Sequence, residues 1–105
     1  MSFKVQPNPT FVAEAKIQVP GEGPKPLKLV FKHKTEAEAR DFYDRASKST
    51  EKVAVQLLEI VDGWTGVDAD FSLATFEQLL ANYHGSATAI FDAYFEGLNG
   101  ARRGN

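Results

Sequence analysis

The side chains capable of chemistry are few, and their spacing assembles no reaction. There is no cysteine, which removes thiolate catalysis, disulfides and every cysteine-built metal site. The two histidines, His33 and His84, fall in different predicted elements, one at the end of a strand and one beside Gly85. No H-x-x-x-H spacing links them, and a metal site needs three or four ligands that converge. Asp62, Asp68 and Asp70 flank Trp64 without the glycine and terminal glutamate of a calcium loop. The carboxylate pairs Asp41 with Asp44 and Glu36 with Glu38 lie on the polar side of a predicted helix. Nothing in that pattern buries one of them, so neither pair reads as a general acid and base.

The hydroxyls tell the same story. Ser47, Ser49, Ser72 and Ser86 stand where helix caps are expected, and none lies in a G-x-S-x-G elbow. Gly21-Glu22-Gly23 has neither a third glycine nor a helix after it, so it reads as a turn and not as a phosphate cradle. The expectation from these residues is a protein with no catalytic site, no cofactor and no metal.

Contact chemistry is better provided for. Towards the end of the chain Ile90, Phe91, Tyr94, Phe95 and Leu98 recur at helical spacing. At 100° per residue they cover a broader arc than one buried stripe needs. Either the helix is central to a small bundle, or part of the arc meets another chain. Trp64, between Gly63 and Gly66, reads either as a core plug or as an interface anchor, a role in which tryptophan is enriched. Trp64, Phe91, Tyr94 and Phe95 are therefore the candidate partner-binding residues.

Those residues need elements to hold them. Phe11, Ala13, Ala15, Ile17 and Val19 alternate with polar residues, the period of a strand with one buried face. Pro20 to Pro26 interrupts the pattern, which resumes with Leu27, Leu29 and Phe31. Two strands over about 11–33 predict an antiparallel β-hairpin. From Thr35-Glu36-Ala37-Glu38, a capping-box sequence, the period becomes helical. Four helices are predicted, over about 36–47, 51–62, 73–83 and 87–99. Ser49 or Thr50 is the expected cap of the second and Ser72 of the third. Gly85 suits the left-handed position after the third, and Arg102 and Arg103 complement the dipole of the last. The segment from Trp64 to Asp70 reads as a connection. The predicted fold class is α+β: an N-terminal antiparallel β-hairpin followed by a small bundle of four α-helices.

Composition sets the frame. The chain has 105 residues, the size of one domain, with apolar and charged fractions of 43% and 25% that suit a globular protein. A single domain over 1–105 is expected. Residues 1–9 have no apolar run and two prolines, so no targeting signal is expected, and no stretch is long enough to span a bilayer. Charge is uneven. Residues 1–34 carry six lysines against two acidic side chains, and residues 35–105 carry six basic against twelve acidic ones. Lys16, Lys28 and Lys32 on the hairpin allow an alternative reading, a small nucleic-acid-associated regulator. Overall acidity and the absence of an aromatic platform beside the lysines favour a solvated face.

Several segments taken in order resemble the tail assembly chaperones of long-tailed bacteriophages and prophages. They are Pro7-Asn8-Pro9-Thr10-Phe11, Phe31-Lys32-His33-Lys34-Thr35, Asp62-Gly63-Trp64, Leu79 through Ala87, and Gly100 through Asn105. The likeness covers nearly the whole chain and rests on pattern, with no catalytic signature. His84 departs from it, since proline is expected before the glycine, and this alters the helix junction. The resemblance implies a non-enzymatic chaperone that binds the tape measure protein and keeps it soluble during tail assembly. It further implies action in the bacterial host cytoplasm and absence from the mature virion; a homo-oligomer is expected because many copies must coat one long client. Other implied partners are the tail tube protein and a frameshifted longer form of the chain. Neither nucleic acid nor a membrane is an expected partner.

Overall fold

The computed structural model describes residues 2–100. In chain order the elements are β1 (Thr10–Val19), β2 (Gly23–Lys32), α1 (Glu36–Lys48), α2 (Val53–Leu57), β3 (Val61–Thr65), α3 (Leu73–Asn82) and α4 (Ser86–Asn99). The class is the α+β arrangement that the residue pattern predicts, with one strand more.

The hairpin follows from alternation. β1 and β2 pair antiparallel from Thr10 with Lys32 to Val19 with Gly23. Ala15, Ile17, Leu27, Leu29 and Phe31 are all buried on one side of the pair. The turn closes through a bond from the Glu22 amide to the Val19 carbonyl oxygen at 3.0 Å. It needs the left-handed backbone of Gly21, φ 78°, which a side chain would strain. Pro24 and Pro26 sit opposite Gln18 and Lys16, at ladder positions that require no amide.

The second predicted helix is where the structure departs from the sequence reading. Helix α2 is confined to Val53–Leu57, not 51–62, and Val61–Thr65 forms β3 on the far side of β2. Leu29 pairs with Trp64 and Val30 with Gly63; a bulge then brings Phe31 opposite Val61. The stripe Val53, Ala54, Leu57, Leu58, Val61 satisfies a helical period locally. Strand formation wins from Val61 because β2 offers an unpaired edge, and valine, tryptophan and threonine suit it. The Lys32 amide bonds to the Ile60 carbonyl oxygen at 2.7 Å, completing the join. A third strand also removes the marginal stability of an isolated hairpin. The expected cap is corrected with it: Lys52 is the N-cap of α2 and makes no side-chain cap bond. Ser49 accepts instead from the amide of Glu51 at 3.0 Å, shaping the preceding turn.

The capping signals at the starts of α1 and α3 are realised. Thr35 accepts from the Glu38 amide at 3.2 Å while the Glu38 carboxylate accepts from the Thr35 amide at 2.9 Å. Ser72 caps α3 reciprocally with Thr75. Gly85 is left-handed, φ 76°, but as the N-cap of α4 and not directly after α3, whose C-cap is the extended Tyr83. Arg102 and Arg103 lie outside the described residues.

The core lies between one face of the sheet and the helices. Phe31, Phe42, Leu57, Phe76, Ile90 and Tyr94 are among its fully buried side chains. Each large apolar side chain buried this way contributes roughly 1.5–3 kcal/mol. Helix α4 lies on β1, and its close approach depends on Gly97. A Cβ there would stand 2.6 Å from a ring carbon of Phe11.

Candidate functional site

Helix α4 distributes its aromatic residues by their angular position. Tyr94 points inward with no exposed surface. Its ring lies 5.2 Å from that of Phe31 and 5.9 Å from that of Phe11. Its hydroxyl donates to the Lys32 carbonyl oxygen at 2.9 Å, and burial pushes its pKa up to about 12. Tyr94 therefore offers no surface to a partner; it belongs to the core.

Phe91 and Phe95, four residues apart, share a neighbouring flank of α4 and are half-buried. Phe91 stacks on Phe42 at 5.9 Å, and Phe95 meets Tyr43 edge to face at 5.7 Å. These ring contacts bridge α1 to α4 and leave a shallow groove between the helices. One hollow of about 250 Å³ is lined by Tyr43, Ala46, Gln56, Thr88 and Phe91. A second, of about 230 Å³, is formed by Arg40, Tyr43, Phe95 and Asn99. Tyr43 lines both hollows, and its ring contact with Phe95 stands at the edge of the second. A third continues past Phe95 to Leu98 and Thr35.

Tyr43 is the surface residue that the sequence reading assigned only to a helical stripe. It is 43% exposed. The signal was present: Phe42 and Tyr43 are adjacent, and neighbours on a helix point 100° apart. Phe42 takes the inward position, which turns Tyr43 towards the groove.

An ion-pair cluster fixes α1 beside the groove. The Arg45 guanidinium donates to both carboxylate oxygens of Glu59, at 2.9 and 2.7 Å, and to Asp41 at 2.8 Å. Lys34 stands 3.0 Å from Glu59. Hydrogen bonding from Arg45, reinforced by Lys34, holds the Glu59 carboxyl at about 2. This bidentate geometry ties the last turns of α1 to Glu59, two residues before β3.

Trp64 belongs to a different aromatic group. Its indole N–H donates to the Ala69 carbonyl oxygen at 2.8 Å. Its ring meets Phe71 edge to face at 5.1 Å and Phe76 at 6.2 Å. The loop after β3 is thereby pinned to the start of α3, while the ring stays half-buried. The ring contacts of Phe91, Tyr94 and Phe95 run instead to Phe11, Phe31, Phe42 and Tyr43.

The groups that could do chemistry stay apart. His33 is exposed between β2 and α1, and His84 is exposed in the turn before α4. Among the described residues, no group of three or more histidine, cysteine or acidic side chains could hold a metal ion. Lys16, Lys28 and Lys32 lie at even positions of the hairpin, on the face away from the core, with Glu14 among them. No helix among the described residues is long and apolar enough to cross a membrane.

No curated protein and no solved structure matches the chain. A family model described as phage tail assembly chaperone matches residues 1–105, the whole length, so the chain belongs to that family.

Proposed function

We propose that the chain binds the tape measure protein in the host cytoplasm, without catalysis, and keeps it soluble until the tail tube forms around it. The observation that carries this reading is the α1–α4 groove, with Tyr43, Phe91 and Phe95 along its length. Ring surface at i and i+4 spacing suits an amphipathic client helix, whose own apolar residues repeat every three or four positions. Arg40, Gln56, Asp92 and Asn99 on the margins give the polar rim that lets such a contact stay reversible. Family membership supports a role in tail assembly.

In this proposal Trp64 is a second, separate contact, made by the part of its ring left uncovered by Phe71 and Phe76. Copies of the chain also associate with one another, because a long client must be covered along its length. The test is co-expression with the very long coiled-coil protein encoded beside the tail tube gene. The client becomes soluble and co-purifies with the wild-type chain. A client that stays insoluble and unbound overturns the proposal.

A further inference from the structure

We infer that two copies of the chain join through the free edge of β1, in one register set by Glu14 and Lys16. The sheet order is β1-β2-β3, so β1 is an edge strand along its full ten residues. Ladder parity decides which of its groups face outward. The Lys32 amide bonds to Ile60 on the β3 side, and the His33 amide bonds to Pro9. Lys32 pairs with Thr10, so the even residues of β1 form the pairs without mutual hydrogen bonds. Pro24 and Pro26, which have no amide hydrogen, face even residues and fit the same parity. The main-chain groups of Val12, Glu14, Lys16 and Gln18 therefore point away from β2, towards the open edge.

A second β1 can pair there antiparallel only if outward-facing even residues meet even residues. Among the two-fold registers that keep most of the strand paired, one centres on Ala15. It sets Glu14 opposite Lys16 of the other copy, and Lys16 opposite its Glu14. On the core side it sets Ala13 against Ile17. Sliding either strand to the next allowed register stacks Glu14 on Glu14 or Lys16 on Lys16, which is destabilising. Charge thus selects a single self-complementary alignment. Among the described residues neither side chain is engaged in an ion pair. Beside the edge, a cleft of about 250 Å³ between β1 and α4 is floored by Ala15, Ala89 and Ala93, with the carboxylates of Asp92 and Glu96 on its helix side. Val12, 63% exposed, gains a neighbour in Gln18 of the other copy. Lysine on an edge strand ordinarily discourages pairing, but here Glu14 two residues earlier turns it into half of a matched pair.

The inference rests on the self-association part of the proposed function and on no property of the client. Sedimentation equilibrium of the full chain tests it without any client present. The wild-type chain forms a dimer. Lys16→Glu weakens the dimer about tenfold by replacing both attractive pairs with repulsive ones. The double exchange Glu14→Lys with Lys16→Glu restores it. Val12→Pro, which removes an outward amide while sparing the ladder to β2, abolishes it, with unchanged circular dichroism showing that the fold survives. A wild-type chain that stays monomeric at high concentration overturns the inference, as does a dimer indifferent to Lys16→Glu and Val12→Pro. So does failure of the double exchange to restore association. A monomer that still solubilises the client would defeat this interface and leave the client-binding proposal standing.

Discussion

The hydroxyl of Tyr94 in α4 donates to the main-chain carbonyl oxygen of Lys32 at 2.9 Å, across sixty-two positions of sequence. This bond joins the middle of the last helix to the last residue of the central strand. It also satisfies the polar tip of a ring that has no other route to solvent. Tyr94→Phe should cost about 1 kcal/mol in urea unfolding, since a part-buried acceptor loses its donor. Tyr94→Ala should cost about 3–5 kcal/mol through the cavity it opens. The folded pKa of about 12 lies above the ordinary value of 10.0. The neutral hydroxyl therefore contributes stability below pH 10 that is lost as pH rises towards 12. Tyr94→Phe should remove that part of the alkaline loss.

Glu59 has the opposite sign. Its carboxyl, held at about 2 against an ordinary 4.5, contributes stability above pH 4.5 that disappears as pH falls towards 2. Chemical unfolding of Glu59→Gln across this range should give a flatter acid limb than wild type. At neutral pH the variant should lose about 1 kcal/mol, a value discounted because both Arg45 and Glu59 remain partly exposed. An unchanged acid limb would show that the cluster with Arg45 and Lys34 does not form in solution.

Gly97 should resist substitution despite its place in a helix. Alanine there gains helix propensity of up to about 1 kcal/mol. Its Cβ, however, would meet the Phe11 ring at 2.6 Å, and that ring is already packed on Phe31 and Tyr94. Overpacking typically costs about 1–3 kcal/mol, so Gly97→Ala should lower the melting temperature. A rise would show that β1 can move away from α4.

The client surface can be separated from the core by paired substitutions. Phe95→Ala and Tyr43→Ser should each weaken client capture about tenfold, as loss of an aromatic anchor does at an interface. Phe91→Ala should do the same with a larger loss of stability, because its ring stacks on Phe42. Trp64→Ala should weaken capture less, as a contact outside the groove. Pull-down of the co-expressed client, with melting temperatures measured in parallel, distinguishes lost contact from lost fold. Unchanged capture with Phe95→Ala and Tyr43→Ser would move the client site away from the α1–α4 groove.

The residue sequence alone determined whatever depends on neighbours close in the chain. Alternation wrote the hairpin from Phe11 to Phe31, and Thr35 with Glu38 wrote the start of α1. Ser72 marked the start of α3, and Gly85 marked the junction from which α4 begins. These signals are local because a cap, a turn or a one-sided strand is satisfied within a few residues. Val61 to Thr65 was different. Val61 closed a helical stripe and Trp64 opened an apparent connection, yet the conformation of both was set by the unpaired edge of β2, about thirty positions earlier, which no local period records. The same holds for the aromatic arc. Sequence placed Phe91, Tyr94 and Phe95 on one helix, but the neighbours decided their fates. Phe11 and Phe31 enclose Tyr94, while Tyr43 meets Phe95 at the surface. Whether a side chain is core or contact depends on what packs against it, and only the tertiary arrangement of α1, α4 and the sheet supplies that.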